Sequence, residues 1–276
     1  MSERKAIRTG RNLPVAVAVS VALGGIALLT LFTLKATFLG LVAVAVGVAL
    51  WELSRAFAAR GIALPLAPIA AGGAAMLALA YWSGEQAALA AFAVTVVALL
   101  GWRLHGGTAG YVRDLTAGVF TLAYLPFLAI FVPLMLARPD GSRRTLIFVA
   151  LAVCSDVGGY FAGILLGKHP MAPGISPKKT WEGFAGSLLI GVAGGAILLP
   201  TLLRGHVWQG IILGAAAVAA ATLGDLAESM IKRDLEIKDM GSVLPGHGGV
   251  LDRIDSMLVV APAVWLLLTV FIPHSR

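Results

Sequence analysis

Charge is scarce in this chain. Only 13% of its 276 residues are Asp, Glu, Lys or Arg, about half the fraction usual in a soluble domain. Acids are scarcer than bases, 14 against 21. With 59% hydrophobic residues and a mean hydropathy of +0.91, an ordinary soluble globule is excluded. One cysteine, Cys154, rules out an intrachain disulfide. It sits in an apolar run, which marks a buried structural thiol rather than a reactive one. Short alternating segments are missing, which excludes a transmembrane β-barrel. No clear internal repeat is visible, which weighs against an inverted-repeat transporter. No nucleophile triad is visible either. The net charge of +7 does not call for nucleic acid, because basic loops facing anionic lipid and cytoplasm produce the same excess.

Long apolar runs are what the chain does have. Each is of the order of 20 residues, enough to cross a hydrocarbon core of ~30 Å. The reading is an all-α, polytopic transmembrane helical bundle of about nine spans: 13–34, 36–54, 62–82, 86–102, 115–137, 145–166, 184–203, 207–228 and 257–273. The first follows Arg4, Lys5, Arg8 and Arg11 and is too long for a cleaved signal, so it is read as a membrane helix. With the N-terminus cytoplasmic, 15 basic residues fall inside and 6 outside, the expected bias. Two polar loops, 167–183 and 229–256, then face the cytoplasm. The chain divides into 1–140, a bland set of N-terminal helices, and 141–276, which carries both loops. In the first half, Glu52, Arg55 and Asp114 lie near span ends and read as interface anchors.

Half of all the acids gather between Asp225 and Asp255: Asp225, Glu228, Asp234, Glu236, Asp239, Asp252 and Asp255. A helix continuing past Asp225 would stack Asp225, Glu228, Ser229 and Lys232 on one face. Asp252, Asp255 and Ser256 repeat the spacing. Two helix ends can thus present carboxylates toward one point, as Mg²⁺ with phosphate ligands requires. The alternative is an interfacial salt-bridge network with Lys232, Arg233 and Arg253. Between the helices lies Leu244-Pro-Gly-His-Gly-Gly-Val, where Gly246, Gly248 and Gly249 allow backbone N–H groups close to an anion. His247 is placed to bond a phosphate or ribose hydroxyl.

A second constellation spans Asp156 to Gly183. Asp156 stands inside an apolar span, costly unless paired or hydrated. Gly158, Gly159 and Gly163 suit close helix packing. Ser176, Lys178, Lys179 and Thr180 combine hydroxyls and positive charge, apt for phosphate; plain positive-inside loop residues would look the same. Acids, bases and a Gly-rich turn suit a metal-assisted phosphoryl or nucleotidyl transfer, in which the substrate's own oxygen attacks.

Ser229-Met-Ile-Lys-Arg, Lys238-Asp239, Gly241, Leu244-Pro and His247-Gly-Gly-Val-Leu-Asp-Arg-Ile-Asp255 closely resemble the signature of phosphatidate cytidylyltransferases (CDP-diacylglycerol synthases). Gly174-Ile-Ser-Pro-Lys-Lys-Thr-Trp-Glu-Gly183 is similar to that family's second motif. One departure is Val157, where the family usually has Thr after the aspartate; Asp156 itself matches. The resemblance covers about residues 154 to 257. It implies transfer of a cytidylyl group from CTP to phosphatidate, with Mg²⁺ and a companion K⁺. It implies a homodimer in a bacterial cytoplasmic (inner) membrane, with the site facing the cytoplasm among membrane lipids. Asp225 and Asp252 match the metal-binding aspartates, with Asp156 and Asp255 near. Catalytic roles then fall to Asp225, Asp252, Lys232, Arg233, Asp239 and Asp255. Substrate contacts fall to Ser176, Lys178, Lys179, Thr180, Lys238, Gly246, His247, Gly248, Gly249 and Arg253.

Rival readings are a cytidylyltransferase or CTP-dependent kinase for another lipid, and a cation-coupled transporter with Asp156 and Asp225 as ion sites. A transporter needs a path to the outside, yet the polar residues gather in two loops on one side. A structural scaffold leaves the paired carboxylates unexplained.

Overall fold

In lipid every backbone N–H and C=O must be bonded within its own segment, so long apolar runs become helices. The computed structural model describes residues 13–243 and 248–273. Its helices are α1 (Leu13–Thr33), α2 (Lys35–Ala59), α3 (Leu66–Trp82), α4 (Glu85–Leu104), α5 (Tyr111–Leu122), α6 (Phe131–Leu136), α7 (Gly141–Leu166), α8 (Trp181–Leu203), α9 (Val207–Asp234) and α10 (Leu251–Phe271). A π-helical turn at Ala123–Phe127 links α5 to α6. Pro126 lies in it; its missing N–H and its ring open the helical ladder there. A small antiparallel hairpin, β1 (Pro170–Ala172) and β2 (Ser176–Thr180), precedes α8.

Among the described residues, seven helical stretches are long and apolar enough to cross a membrane: α2, α4, α5 through α6, and α7 to α10. α3 and the Val21–Thr33 part of α1 are apolar but shorter. The outward faces are oily, as at Val97, Leu165, Leu189 and Ile197, which lipid rather than water suits.

The charged ends depart most from the expected boundaries. α9 runs six residues past 228, and α10 begins at Leu251 rather than 257. An apolar-run criterion stops at the first charges, whereas paired charges let the helices continue. Asp225, Glu228 and Lys232 therefore do share a helix, and Asp252 and Asp255 lie in the first turns of α10.

α7, α8 and α9 pack in succession, with α10 against α9. Close crossing needs small residues. A Cβ on Gly158 of α7 would lie 2.9 Å from the Gly186 carbonyl carbon of α8, so a larger residue there forces the helices apart. At one end of the bundle, buried Arg144 of α7 donates to the Leu268 and Ile272 carbonyls (3.1 and 2.8 Å), closing the C-terminal end of α10. At the other end lie the C-terminal ends of α2, α7 and α9, the hairpin, and the start of α10. Arg60 after α2 bonds the Leu235 carbonyl (2.8 Å) and Glu236 (2.7 Å) after α9.

Two acids read as interface anchors are in fact internal. Asp114 is 1% exposed and pairs with Arg103 (2.8 Å) and Arg113 (3.0 Å), while also accepting from the Ala63 N–H. Glu52 is likewise 1% exposed. The anchor expectation fails because α4, α5 and the start of α10 fold over these side chains, which no local pattern reveals.

Candidate active site

The hairpin end of α7–α9 encloses a cavity of about 250 Å³. Its walls include Asp156 and Gly159 of α7, Lys178, Lys179 and Thr180 of β2, Gly183 and Ser187 of α8, and Thr222 and Asp225 of α9. Gly159, Gly163 and Gly183 border it where α7 and α8 cross closely; a Cβ on Gly159 would stand 2.6 Å from Ser187 Oγ. The hairpin is fastened from both sides. Glu182 accepts from the Lys168 and His169 N–H groups (3.1 and 3.2 Å) and meets the His169 ring at 2.5 Å. Arg233 of α9 donates to the Ile175 carbonyl at 3.2 Å. Arg233 therefore acts here as a strut on the hairpin turn.

Lys179 donates to Asp225, two residues 46 apart in sequence. Both are partly open to the cavity, at 27% and 31%. Asp156, exposed, lies in the field of Asp225, Lys179 and Arg253. Thr180 Oγ1 accepts from the Gly183 N–H (3.1 Å), capping α8 while its side chain borders the cavity. Lys178 is exposed at the cavity wall; Ser176 is half-buried in β2 and is not among the wall residues.

Deeper, Lys232 joins Glu228 of its own helix to Asp252 of α10, the latter at 2.9 Å. This group is closed: Glu228 is 2% and Asp252 7% exposed. Asp252 also accepts the Met240 and Gly249 N–H groups at 3.1 and 2.9 Å. Asp255 and Ser256 are buried as well, with Asp255 beside Glu228. Glu228 Oε1 is buried with no hydrogen-bond partner among the described residues, and so is the Tyr124 hydroxyl, which lies in the field of Asp255, Glu228 and Asp225.

Not every expected residue gathers here. Lys238 and Asp239 are exposed on the loop before Met240 and border no part of the cavity. Arg253, exposed on α10, is not a wall residue but acts on Asp156. Gly248 has φ +93°, the conformation glycine tolerates best. The Gly249 N–H is donated to Asp252 rather than left open to a phosphate. Gly246 and His247 lie outside the described residues. Among the described residues no three His, Cys, Asp or Glu side chains form a metal-holding group. Asp156 and Asp225 border the cavity, while Asp252 and Asp255 lie further in, with Asp255 in the field of Asp225 and Glu228. The residues still fit a hard divalent cation, which needs only one or two carboxylates beside phosphate oxygens. Asp225 and Asp252 each hold a lysine ammonium, and the buried Glu228 Oε1 stands unpartnered nearby.

Sequence reasoning passed over Tyr124, Ser155, Ser187 and Thr222, and read Glu52 only as an interface anchor. Ser155, Ser187 and Thr222 stand in apolar helices as ordinary small polar residues, with no local signal. Ser187 donates to the Ser155 carbonyl at 2.6 Å, tying α8 to α7 beside the cavity. Glu52 did carry a signal, an acid in an apolar run, but its partners lie about 200 residues away in sequence.

Fold and site together define a class: polytopic helical membrane proteins with a charged cavity at one end of the bundle. Within that class the comparisons are specific. A sequence model described as the cytidylyltransferase family matches residues 14–271, and the chain belongs to that family. It is 41% identical to a phosphatidate cytidylyltransferase of Mycobacterium leprae, over 97% of this chain and 91% of that one. It is 40% identical to a Mycobacterium bovis protein of the same name, over 95% and 90%. The similarity to a Staphylococcus epidermidis phosphatidate cytidylyltransferase is 39% over 48% of this chain and 51% of that one.

Proposed function

We propose that this protein transfers a cytidylyl group from CTP to phosphatidate, giving CDP-diacylglycerol and pyrophosphate. The observation that carries the reading is the cavity where Lys178, Lys179 and Thr180 face Asp156 and Asp225. The names and 40% identity of full-length relatives support it. A phosphate oxygen of phosphatidate attacks the α-phosphorus of CTP. A new P–O bond forms there, the bond to the β-phosphate bridging oxygen breaks, and pyrophosphate leaves. Lys178 and Lys179 hold phosphate oxygens, and the pairing with Asp225 keeps the Lys179 ammonium aimed into the cavity. Lys232 holds Asp252 against α9. Asp225 and Asp252, with Asp156 beside Asp225, would hold Mg²⁺, which neutralises the triphosphate and its leaving group when bound; a K⁺ companion belongs to the same proposal.

The finer architecture is part of this reading. It has nine spans, counting α1 and α3, with the N-terminus and the cavity on the cytoplasmic side of a bacterial inner membrane. The 15-to-6 division of basic residues supports that orientation. It takes residues 141–276 as the catalytic half and a homodimer as the working form.

The test uses purified protein in detergent with labelled CTP, Mg²⁺ and a panel of lipids. Cytidine label should enter the lipid extract with phosphatidate, and should vanish with Asp225→Asn or with a chelator. Label appearing only with another lipid phosphate would replace the acceptor. No label with any lipid, from folded protein, would overturn the reading and favour the transporter.

A further inference from the structure

Glu52 sits in α2, in the half of the chain with no cavity residues, yet its carboxylate is bonded inside the catalytic half. Oε1 accepts the Val250 N–H at 3.1 Å and Oε2 the Leu251 N–H at 2.9 Å. Asp252 Oδ2 accepts the preceding N–H, that of Gly249, at 2.9 Å. Three consecutive amides at the start of α10 are therefore held by two carboxylates from opposite ends of the sequence. A helix start leaves its first N–H groups without intrahelical partners and favours negative charge. Glu52 meets both needs from outside the helix.

The packing is close as well. A Cβ on Gly249 would stand 2.9 Å from Glu52 Oε2 and 2.8 Å from Asp252 Oδ2, and one on Gly241 would collide with the Glu52 carboxylate. Only glycines let the loop pass between these acids. Since Asp252 follows the held amides directly and meets Lys232 at 2.9 Å, the position of Asp252 depends on where Glu52 sets the helix start.

We propose that Glu52 is a positioning residue for the transfer reaction, acting by fixing the Gly249–Leu251 backbone and so the carboxylate of Asp252. The proposal rests on the cytidylyl-transfer reading above. A misplacement of about 1 Å at a reacting group can cost ~100-fold in rate. Glu52→Gln keeps the size but turns an acceptor into a donor facing an N–H, and should lower kcat by about 10- to 100-fold. KM for CTP and phosphatidate should change little, because alignment acts in the transition state. Glu52→Asp, which keeps the charge, should recover part of the rate.

The experiment compares wild type, Glu52→Gln, Glu52→Asp and Leu53→Ala. Leu53 is fully buried in the same helix and bears on packing alone. Each variant is measured for kcat, KM, detergent melting and hydrogen exchange of the 248–256 segment. Glu52→Gln should melt near wild type, lose kcat and exchange about tenfold faster at Val250 and Leu251, the effect of a lost hydrogen bond. Wild-type kcat in Glu52→Gln overturns the proposal. So does a loss of kcat in Glu52→Gln and Leu53→Ala alike in proportion to melting. A wild type without transfer activity overturns the reaction instead. The exchange measurement then decides by itself whether Glu52 holds the segment, and unchanged exchange overturns the proposal in that case too.

Discussion

Two aspartates, 27 residues apart, each hold a lysine ammonium, and their surroundings set them apart. Asp225 and Lys179 meet across a partly open cavity wall, each about 30% exposed. Asp252 and Lys232 meet under cover, with Glu228 on the other side and two backbone N–H groups on the same carboxylate. Under the proposed function, the first pair exchanges partners with an incoming triphosphate at little structural cost. The second is part of what holds α9, α10 and the Met240 loop together. A carboxylate open to a cavity serves binding. One closed in a low-dielectric interior stabilises only while every partner remains.

Substitutions should separate the two. Asp225→Asn should give the largest loss of activity, about 10³-fold, with melting nearly unchanged because the site is open. Asp252→Asn should lose about 10²-fold in kcat/KM and also destabilise by on the order of 3 kcal/mol, since it leaves Lys232 short of a charge partner in the interior. Kinetics joined to thermal melting checks both. Equal melting for the two variants would break the distinction. Lys179→Met should reduce activity by about 10- to 100-fold, chiefly as a higher KM for CTP. Lys232→Met should instead lower the melting temperature, because Glu228 and Asp252 then face each other unscreened. Thr180→Ala is the mildest. It removes the cap of α8 and should cost about 1 kcal/mol, with Thr180→Ser restoring it; a large rise in KM for CTP would show that the hydroxyl meets the nucleotide as well.

These contrasts show how much of the site was legible along the chain. The spacing of Asp225, Glu228 and Lys232 reads directly as one helical face, because a helix of 3.6 residues per turn brings i, i+3 and i+7 together whatever surrounds it. The Lys178–Lys179–Thr180 run and Asp156 were visible as polar residues out of place in oil. Their shared cavity was not visible, because it depends on α8 crossing α7 closely enough for the hairpin to fold back over α9. Asp252 and Asp255 look equivalent in sequence. In the structure the first is an acceptor for backbone and lysine, and the second is buried beside Glu228.

Glu52 marks the limit of local reading. Its neighbours give it a helix and an apolar setting, and from those an interface anchor is the natural inference. Its function comes from the amides of Val250 and Leu251, which reach it only through tertiary packing.

Composition and hydropathy alone were enough for a helical membrane protein, because burying backbone polar groups in lipid leaves a chain this apolar few alternatives. The spacing of acids and bases was enough to single out two charged segments, which the structure brings together at one end of the bundle. Which carboxylate opens on the cavity, which is locked inside, and which distant acid holds the start of α10 depended on the packing of helices far apart in sequence. A charge takes its role from its burial and its partners, and those exist only once the helices have met.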